Sequence, residues 1–337
     1  MKKVCIVGCG AISSVHASAV KNSENAELYA VCDINKERAQ KLGKKYDVRI
    51  FNDFDEVLSC PEIDSVHICT PHYLHVEMTI KALESGKYVV LEKPAAMNMS
   101  ELKRLLLADE KYKGKLSLIL QNRTNSVAVK LIEELKTNDC GKLLGSKAFL
   151  TWKRDSEYYA QDAWRGKWAT EGGGVMINQA VHILDLLCLL SGGVSSVKAT
   201  MTNKSLSGII EVEDTADALF TLKNGAKAVI YATNAYSFNS PINIELNFEN
   251  VTYRYADGFL YKIEKGKMPE IIADDNVKVK WKNYWGSGHK SAINAFYDTI
   301  SGKNNDYITL NDGLNSAKAL FAMYESAKNN GLEIKID

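Results

Sequence analysis

Apolar and polar positions along this chain follow two periods, and where they switch is informative. Val4 to Val7 form a short unbroken apolar run that breaks at Gly8-Cys9-Gly10-Ala11-Ile12-Ser13. Helical spacing then carries Val15, Ala19 and Val20, and a second apolar run, Leu28 to Val31, ends in Cys32-Asp33. Short continuous apolar runs read as buried strands, and steps of three to four read as one face of a helix. The opening segment therefore predicts strand, glycine turn, helix and strand.

The alternation continues. Lys36 to Lys45 is helical by composition, and Asp53-Phe54-Asp55-Glu56 has capping-box spacing. Ser65 to Cys69 reads as a buried strand, Val76 to Leu83 as a helix closed by Gly86, and Tyr88 to Leu91 as a strand. Asn98-Met99-Ser100-Glu101 caps a helix through Leu107, and Leu116 to Leu120 closes the series. Strands alternating with helices predict a parallel, doubly wound sheet.

After Gln121 the character changes. A helix over Val127 to Leu135 leads into a strand at Leu144 to Trp152, and one long helix is expected over Met176 to Leu190. Strands then dominate: Val194–Thr202, Ala216–Leu222, Ala226–Thr233, Ile242–Phe248, Thr252–Tyr255 and Phe259–Ile263. Lys223-Asn224-Gly225 and Asp257-Gly258 are hairpin signals. Helices over His289 to Ile300 and Gly313 to Lys328 finish the chain. The fold class is α/β: a doubly wound domain over residues 1–123, and an α+β domain with a large, mostly antiparallel open sheet over 124–337.

Composition narrows the function classes. The 337 residues carry 42 basic and 41 acidic side chains, a net charge of +1, which gives no electrostatic case for nucleic acid or an anionic membrane surface. No run of about 18 apolar residues predicts a membrane span, and the short run before Gly8 is no signal-peptide core. Seven scattered cysteines without a C-x-x-C pair argue against a disulfide framework or structural zinc and suit a reduced, cytoplasmic protein. Few helices cover the second sheet, so an apolar outer face along Ala226 to Ala232 is expected to mark a homodimer or homotetramer interface.

Four segments carry candidate chemistry. In the opening unit Gly8 permits a tight turn, and Gly10, Ala11 and Ile12 lead into a helix start suited to a pyrophosphate. Ser13 replaces the third glycine of the dinucleotide fingerprint. Asp33 ends the second strand, where it would accept bonds from ribose hydroxyls and repel a 2′-phosphate, which favours NAD over NADP. Asn35 and Arg38 follow, and an arginine there could accommodate a phosphate. Thr70-Pro71-His72-Tyr73-Leu74-His75 lies after a parallel strand, where doubly wound sheets present ligand contacts. In Glu92-Lys93-Pro94 the lysine precedes proline and is held extended, a candidate proton donor or nicotinamide partner, and Glu92 beside it is a candidate cofactor contact. Glu171-Gly172-Gly173-Gly174 exposes backbone before an apolar helix on which Asn178 and His182, four apart, share a face, and Asp185 could orient the imidazole.

These motifs, in this order and over essentially the whole chain, resemble the Gfo/Idh/MocA oxidoreductase family. The resemblance implies an NAD-binding Rossmann domain and a C-terminal sheet that often mediates oligomers. It makes Lys93 and His182 the catalytic pair, with Asn178 where the family commonly has aspartate. Members similar in Gln121-Asn122-Arg123, Trp164-Arg165-Gly166 and Ile177-Asn178-Gln179 tend to act on sugars or glycosides. Asn122, Trp164 and Arg165 are then expected near the cofactor. Arg123, Tyr158, Arg165, Gln179, Asn178 and His182 are expected near the substrate, and Tyr159 is read either as lining that cleft or as packing. The implied activity is hydride transfer between a secondary hydroxyl and NAD, with the roles of His182 and Lys93 exchangeable. An NAD-dependent glycosidase and a non-catalytic NAD- and sugar-binding regulator are the alternatives. His289 opens a late helix and is read either as a site residue or as packing.

Overall fold

The glycine break separates β1 (Lys2–Val7) from α1 (Ser13–Lys21), whose buried face carries Val15, His16, Ala17, Ala19 and Val20. β2 (Ala26–Cys32) pairs parallel to β1. Next come α2 (Lys36–Tyr46), the short β3 (Arg49–Phe51), α3 (Phe54–Ser59) and β4 (Ser65–Ile68). Then follow α4 (His75–Glu84), β5 (Tyr88–Leu91), α5 (Met99–Lys111) and β6 (Leu116–Leu118). The computed structural model describes residues 1–275, 288–303 and 306–336. The sheet order is β3-β2-β1-β4-β5-β6, with every pair parallel. Strand order reverses between β1 and β4, and ligands of such sheets bind at the carboxyl ends around that point. β3 escaped sequence reading because Arg49-Ile50-Phe51 is too short and too exposed to leave an apolar run.

The second unit begins with α6 (Ser126–Thr137) and β7 (Leu143–Thr151), followed by α7 (Ser156–Ala160), α8 (Val175–Asn178) and α9 (Val181–Leu190). β8 (Val194–Thr202), β9 (Thr215–Leu222), β10 (Lys227–Thr233), β11 (Asn243–Phe248), β12 (Val251–Ala256), β13 (Phe259–Glu264) and β14 (Glu270–Asp274) follow. α10 (Gly288–Ile300) returns to the first unit, where Ala292, Ile293, Phe296 and Tyr297 share a core with Ala17, Val20 and Val90. α11 (Leu314–Lys328) and β15 (Ile334–Lys335) rejoin the second. The compact units are therefore Met1–Gln121 with Ser287–Gly313, and Asn122–Gly286 with Leu314–Asp337. A single boundary near residue 123 misses this return, because a helix's apolar stripe does not say which sheet it covers.

The nine-stranded order is β14-β13-β12-β11-β7-β10-β9-β8-β15. β7 and β10 pair parallel, and the other described pairings are antiparallel. The face packed by α9 and α11 holds Ala228, Ile230 and Ala232 of β10. On the opposite face Val229 stands across from Leu219, and Tyr231 across from Phe149. All four are exposed, between 36% and 42%.

The helix expected over Met176 to Leu190 is in fact two. The Val175 carbonyl accepts both the Gln179 and the Ala180 N–H, and regular helix resumes only at Val181. Local propensity gave no warning, because the break accompanies distant bonds from the Asn178 and Gln179 side chains. The four-residue spacing therefore does not place Asn178 and His182 on one helix face.

Candidate active site

In the first unit the glycine turn is fixed sterically. Gly8 has φ +93°, and a Cβ there would lie 2.6 Å from the Cys69 carbonyl oxygen. Asp33 is held by two backbone donors: Cys9 N–H donates to Oδ2 at 2.7 Å and Asn35 N–H to Oδ1 at 2.8 Å. Each carboxylate oxygen keeps a further lone pair for a ribose hydroxyl. Asn35 caps α2, its Oδ1 accepting from the N–H groups of Glu37 and Arg38, and the Arg38 side chain is exposed.

The turn fits a dinucleotide. A Cβ on Gly10 would meet open space, so protein atoms leave room over the turn. The N–H groups of Ala11 and Ile12 take no partner among the described residues. Thr70 Oγ1 is buried and likewise has none. Two free donors at the start of α1 are what a diphosphate requires.

The two strand-end motifs divide unequally. His75 is buried, with Nδ1 2.8 Å from the Pro94 carbonyl oxygen and Nε2 2.9 Å from that of Thr70. Burial pushes its pKa down, against the two carbonyl bonds and Glu92 that raise it. His75 thus braces the Thr70-Pro71 loop instead of reaching a ligand through a ring nitrogen, and His72 beside it is also buried. Glu92, expected as a cofactor contact, faces inward: Oε1 lies 2.8 Å from His16 Nε2 and 3.4 Å from His289 Nε2. Lys93 is only partly buried at the carboxyl end of β5.

In the second unit a network joins the expected residues. The Arg165 guanidinium donates to Tyr158 Oη and lies 4.5 Å over its ring and 4.7 Å over the Trp164 ring. Gln179 Nε2 donates to the same Tyr158 oxygen at 3.2 Å, and Gln179 Oε1 accepts from Asn234 at 3.0 Å. Asn234 also donates to Tyr159 Oη at 3.1 Å. Buried Glu171 accepts from Asn178 Nδ2 and, at 2.5 Å, from Gly166 N–H, tying Trp164-Arg165-Gly166 to Asn178. His182 is partly exposed although its neighbours Val181, Ile183, Leu184 and Asp185 are buried. Asn122 is buried, and its Oδ1 has no partner among the described residues.

Three expectations are revised here. Asp185 does not orient His182: both of its oxygens bind Arg123 at 2.7 Å, and Ser316 donates to Oδ1 at 2.8 Å. Arg123, expected as a substrate contact, spends Nε and Nη2 on that pair. Of Gly172-Gly173-Gly174 only Gly172 is partly exposed; Gly173 and Gly174 are buried. A Cβ on Gly173 would lie 2.0 Å from Tyr324 Oη, and one on Gly174 would lie 1.9 Å from the Glu213 carbonyl oxygen, so both permit close packing.

Sequence reading missed Glu213, Asn234 and the role of Glu171. Glu213 Oε2 accepts the Gly174 N–H at 2.8 Å, and Oε1 accepts the Met176 N–H at 3.0 Å and Tyr324 Oη at 2.9 Å. Burial pushes its pKa up to about 7 against those bonds. Glu171 adjoins the glycines and could have been noticed; nothing local marks the other two.

Fold and turn together define an NAD-binding oxidoreductase of two units. The family model described as "Oxidoreductase family, NAD-binding Rossmann fold" matches residues 2–119, and "GFO/IDH/MocA C-terminal domain" matches residues 129–254. The chain belongs to the Gfo/Idh/MocA oxidoreductase family. It is 25% identical to the glucose-6-phosphate 3-dehydrogenase of Bacillus subtilis (strain 168), covering 98% of this chain and 97% of the relative. It is also 25% identical to the D-glucoside 3-dehydrogenase of Escherichia coli (strain K12), covering 97% and 95%. Among solved structures, the WlbA dehydrogenase from Bordetella pertussis in complex with NADH and UDP-GlcNAcA superposes with TM-score 0.86 at 28% identity, covering 100% and 99%.

Proposed function

We propose that the protein oxidises a secondary hydroxyl of a sugar, polyol or glycoside, or reduces the corresponding ketone. The observation that carries the reading is one chain holding Lys93 at a strand end of the NAD-binding unit and a partly exposed His182 beside the buried Val181, Ile183, Leu184 and Asp185 of α9. Sugar dehydrogenases among the relatives supply the substrate class. At the Gly8–Ile12 turn a bound NAD would supply the acceptor for the hydride of the carbinol carbon. His182 accepts the hydroxyl proton as a neutral imidazole. Lys93 donates a hydrogen bond to the same oxygen and stabilises the negative charge developing there. Asn178, held by Glu171, cannot accept a proton and serves to hold a substrate hydroxyl. Tyr158, Arg165 and Gln179 line the substrate side, with Trp164 and Asn122 toward the cofactor.

The test incubates purified protein with NAD and a panel of glucosides, sugar phosphates, inositols and free sugars, following NADH absorbance and free aglycone. NADH accumulating with an intact glycoside supports the reading. Aglycone release without net NADH would replace it with transient-oxidation hydrolysis.

Two further features belong to the reading. No described helix is long and apolar enough to cross a membrane, and seven free thiols suit the reducing cytoplasm. The exposed row of Phe149, Leu219, Val229 and Tyr231 supports a homodimer or homotetramer through the large sheet. Sedimentation at micromolar concentration should give at least a dimer, and Val229→Lys with Tyr231→Lys should shift it toward monomer. A wild-type monomer would overturn this.

A further inference from the structure

Six buried polar side chains of the first unit form one continuous chain. Ser65 Oγ lies 2.8 Å from Tyr297 Oη, which lies 2.8 Å from His67 Nε2. His67 Nδ1 lies 2.8 Å from His16 Nδ1, and His16 Nε2 lies 2.8 Å from Glu92 Oε1. The same carboxylate oxygen lies 3.4 Å from His289 Nε2, while Oε2 accepts the Lys93 backbone N–H at 3.2 Å. All six side chains are buried. A sheet core needs none of them for packing, and each left unsatisfied would cost about 1–3 kcal/mol.

One fact assigns the protons. An ionised carboxylate only accepts, and the bonds from His16 and His289 hold Glu92 well below the usual carboxylate range against the opposing effect of burial. His16 therefore donates from Nε2. With His16 neutral, its Nδ1 accepts from His67, His67 Nε2 accepts from Tyr297, and Tyr297 accepts from Ser65. With His16 protonated, the three downstream bonds reverse together. Either way Glu92 stays charged. The ligand atoms of His16, Glu92 and His289 all lie within 4.8 Å of one another, and His16 Nε2 and Glu92 Oε1, a hydrogen bond apart at 2.8 Å, are closer than the about 3.3 Å between ligand atoms of a tetrahedral zinc.

Lys93 acts on the same rings as that charge. At His289 and at His75 the Glu92 carboxylate favours the protonated imidazole and the Lys93 ammonium opposes it, while burial keeps both rings toward neutral. The titratable groups around Glu92 are His16 on α1, His67 and Cys69 at β4, His75 on α4, and His289 on α10, with Tyr297 behind His67. His289 Nδ1 is buried without a partner among the described residues, so this ring is held through Nε2 alone.

We propose that His16, His67, His289 and Tyr297 are positioning residues that keep Glu92 ionised beside Lys93, so that the Lys93 amine stays protonated to hydrogen-bond the reacting oxygen. The proposal rests on the reading of Lys93 as catalytic, yet its test needs no substrate. Lysines of the full chain are reductively methylated with a 13C label and titrated by NMR, with Lys93→Arg assigning the resonance. Glu92→Gln should lower the Lys93 midpoint by about one pH unit, tenfold in proton affinity. Glu92→Asp, which keeps the charge, should restore most of it, a rescue that a purely structural role would not produce. NADH binding close to wild type certifies the fold. An unmoved midpoint in folded Glu92→Gln overturns the proposal, as does stoichiometric zinc in the purified protein. If Glu92→Gln does not fold, His289→Gln decides, with a drop of about threefold in proton affinity expected and no drop overturning it. Full turnover in Lys93→Ala would instead sink the catalytic reading of Lys93, whatever the NMR shows.

Discussion

The two units hold their functional groups by different means. In the nucleotide-binding unit the groups proposed to meet the ligand are largely backbone: the N–H groups of Ala11 and Ile12, and an Asp33 carboxylate gripped by the N–H groups of Cys9 and Asn35. In the second unit they are side chains, and side chains from far along the sequence hold them and the backbone beside them. Asn234 holds Gln179 across 55 residues, and Glu213 holds the Gly174 and Met176 N–H groups across 39 and 37. Backbone donors are set by the strand–turn–helix path and survive most substitutions. A buried side-chain network fails when one member is lost. Substitutions in the second unit should therefore affect chemistry and stability with little effect on cofactor binding.

The largest expected effect tests that separation directly. His182→Asn should lower turnover a hundredfold or more, the range for losing a positioned acid–base group. NAD affinity, measured by calorimetric titration, should be unchanged. A parallel loss of both would show that the units are not independent in this sense. Near-normal turnover would remove His182 from the mechanism.

Glu213 gives the next effect, seen in stability. Its folded-state pKa of about 7 lies above the value of about 4.3 for a glutamate in an unfolded chain. The native state thus holds the proton more tightly. The stabilisation is complete below the unfolded value and is lost as pH rises through about 7, on the order of 3 kcal/mol over that window. Glu213→Gln cannot titrate. In urea melts at pH 5 and pH 8, wild type should lose about that much more than the variant. Parallel losses would mean that the carboxyl does not titrate there.

This contrast also explains how much was legible. The strand–helix alternation of the first unit apart from β3, the cap at Asp53, the hairpin at Asp257-Gly258 and the NAD turn could be read, because each is written in a few adjacent residues. Asp53 accepts from the N–H groups of Asp55 and Glu56, and Asp257 and Gly258 both take positive φ. The broken helix, the Arg123–Asp185 pair, the inward turn of Glu92 and the return of α10 to the first sheet were not legible. Each depends on a partner tens to hundreds of residues away. Glu92 is the instructive case. Its motif announced the lysine, while the acid before it serves a buried histidine chain that no local pattern encodes.

Asp33 carries a smaller effect in the nucleotide unit. Its carboxylate at the end of β2 should make NAD bind at least tenfold tighter than NADP, roughly 1.4 kcal/mol. Asn35, being the cap of α2, is not free to receive a 2′-phosphate, which leaves Lys36 and Arg38 as the cations on that turn able to offset it. Asp33→Ala should narrow the ratio. Equal affinities in wild type would refute the assignment.

The smallest effect isolates a feature that is wholly local. Asn98 Oδ1 accepts the Glu101 N–H at 3.0 Å, and Glu101 Oε2 accepts the Met97 N–H at 2.9 Å, closing a reciprocal cap on α5. Asn98→Ala leaves one exposed N–H to water and should cost about 1 kcal/mol in a urea melt, with NAD affinity and turnover unchanged. Asn234→Ala deletes the same side chain from a buried position where it serves both Tyr159 and Gln179. Unsatisfied partners there cannot turn to water, so it should cost more in stability and also raise KM through Gln179 and Tyr158. If the two alanine variants behaved alike, the distinction between a site written in local backbone and one assembled from distant side chains would not hold for this chain.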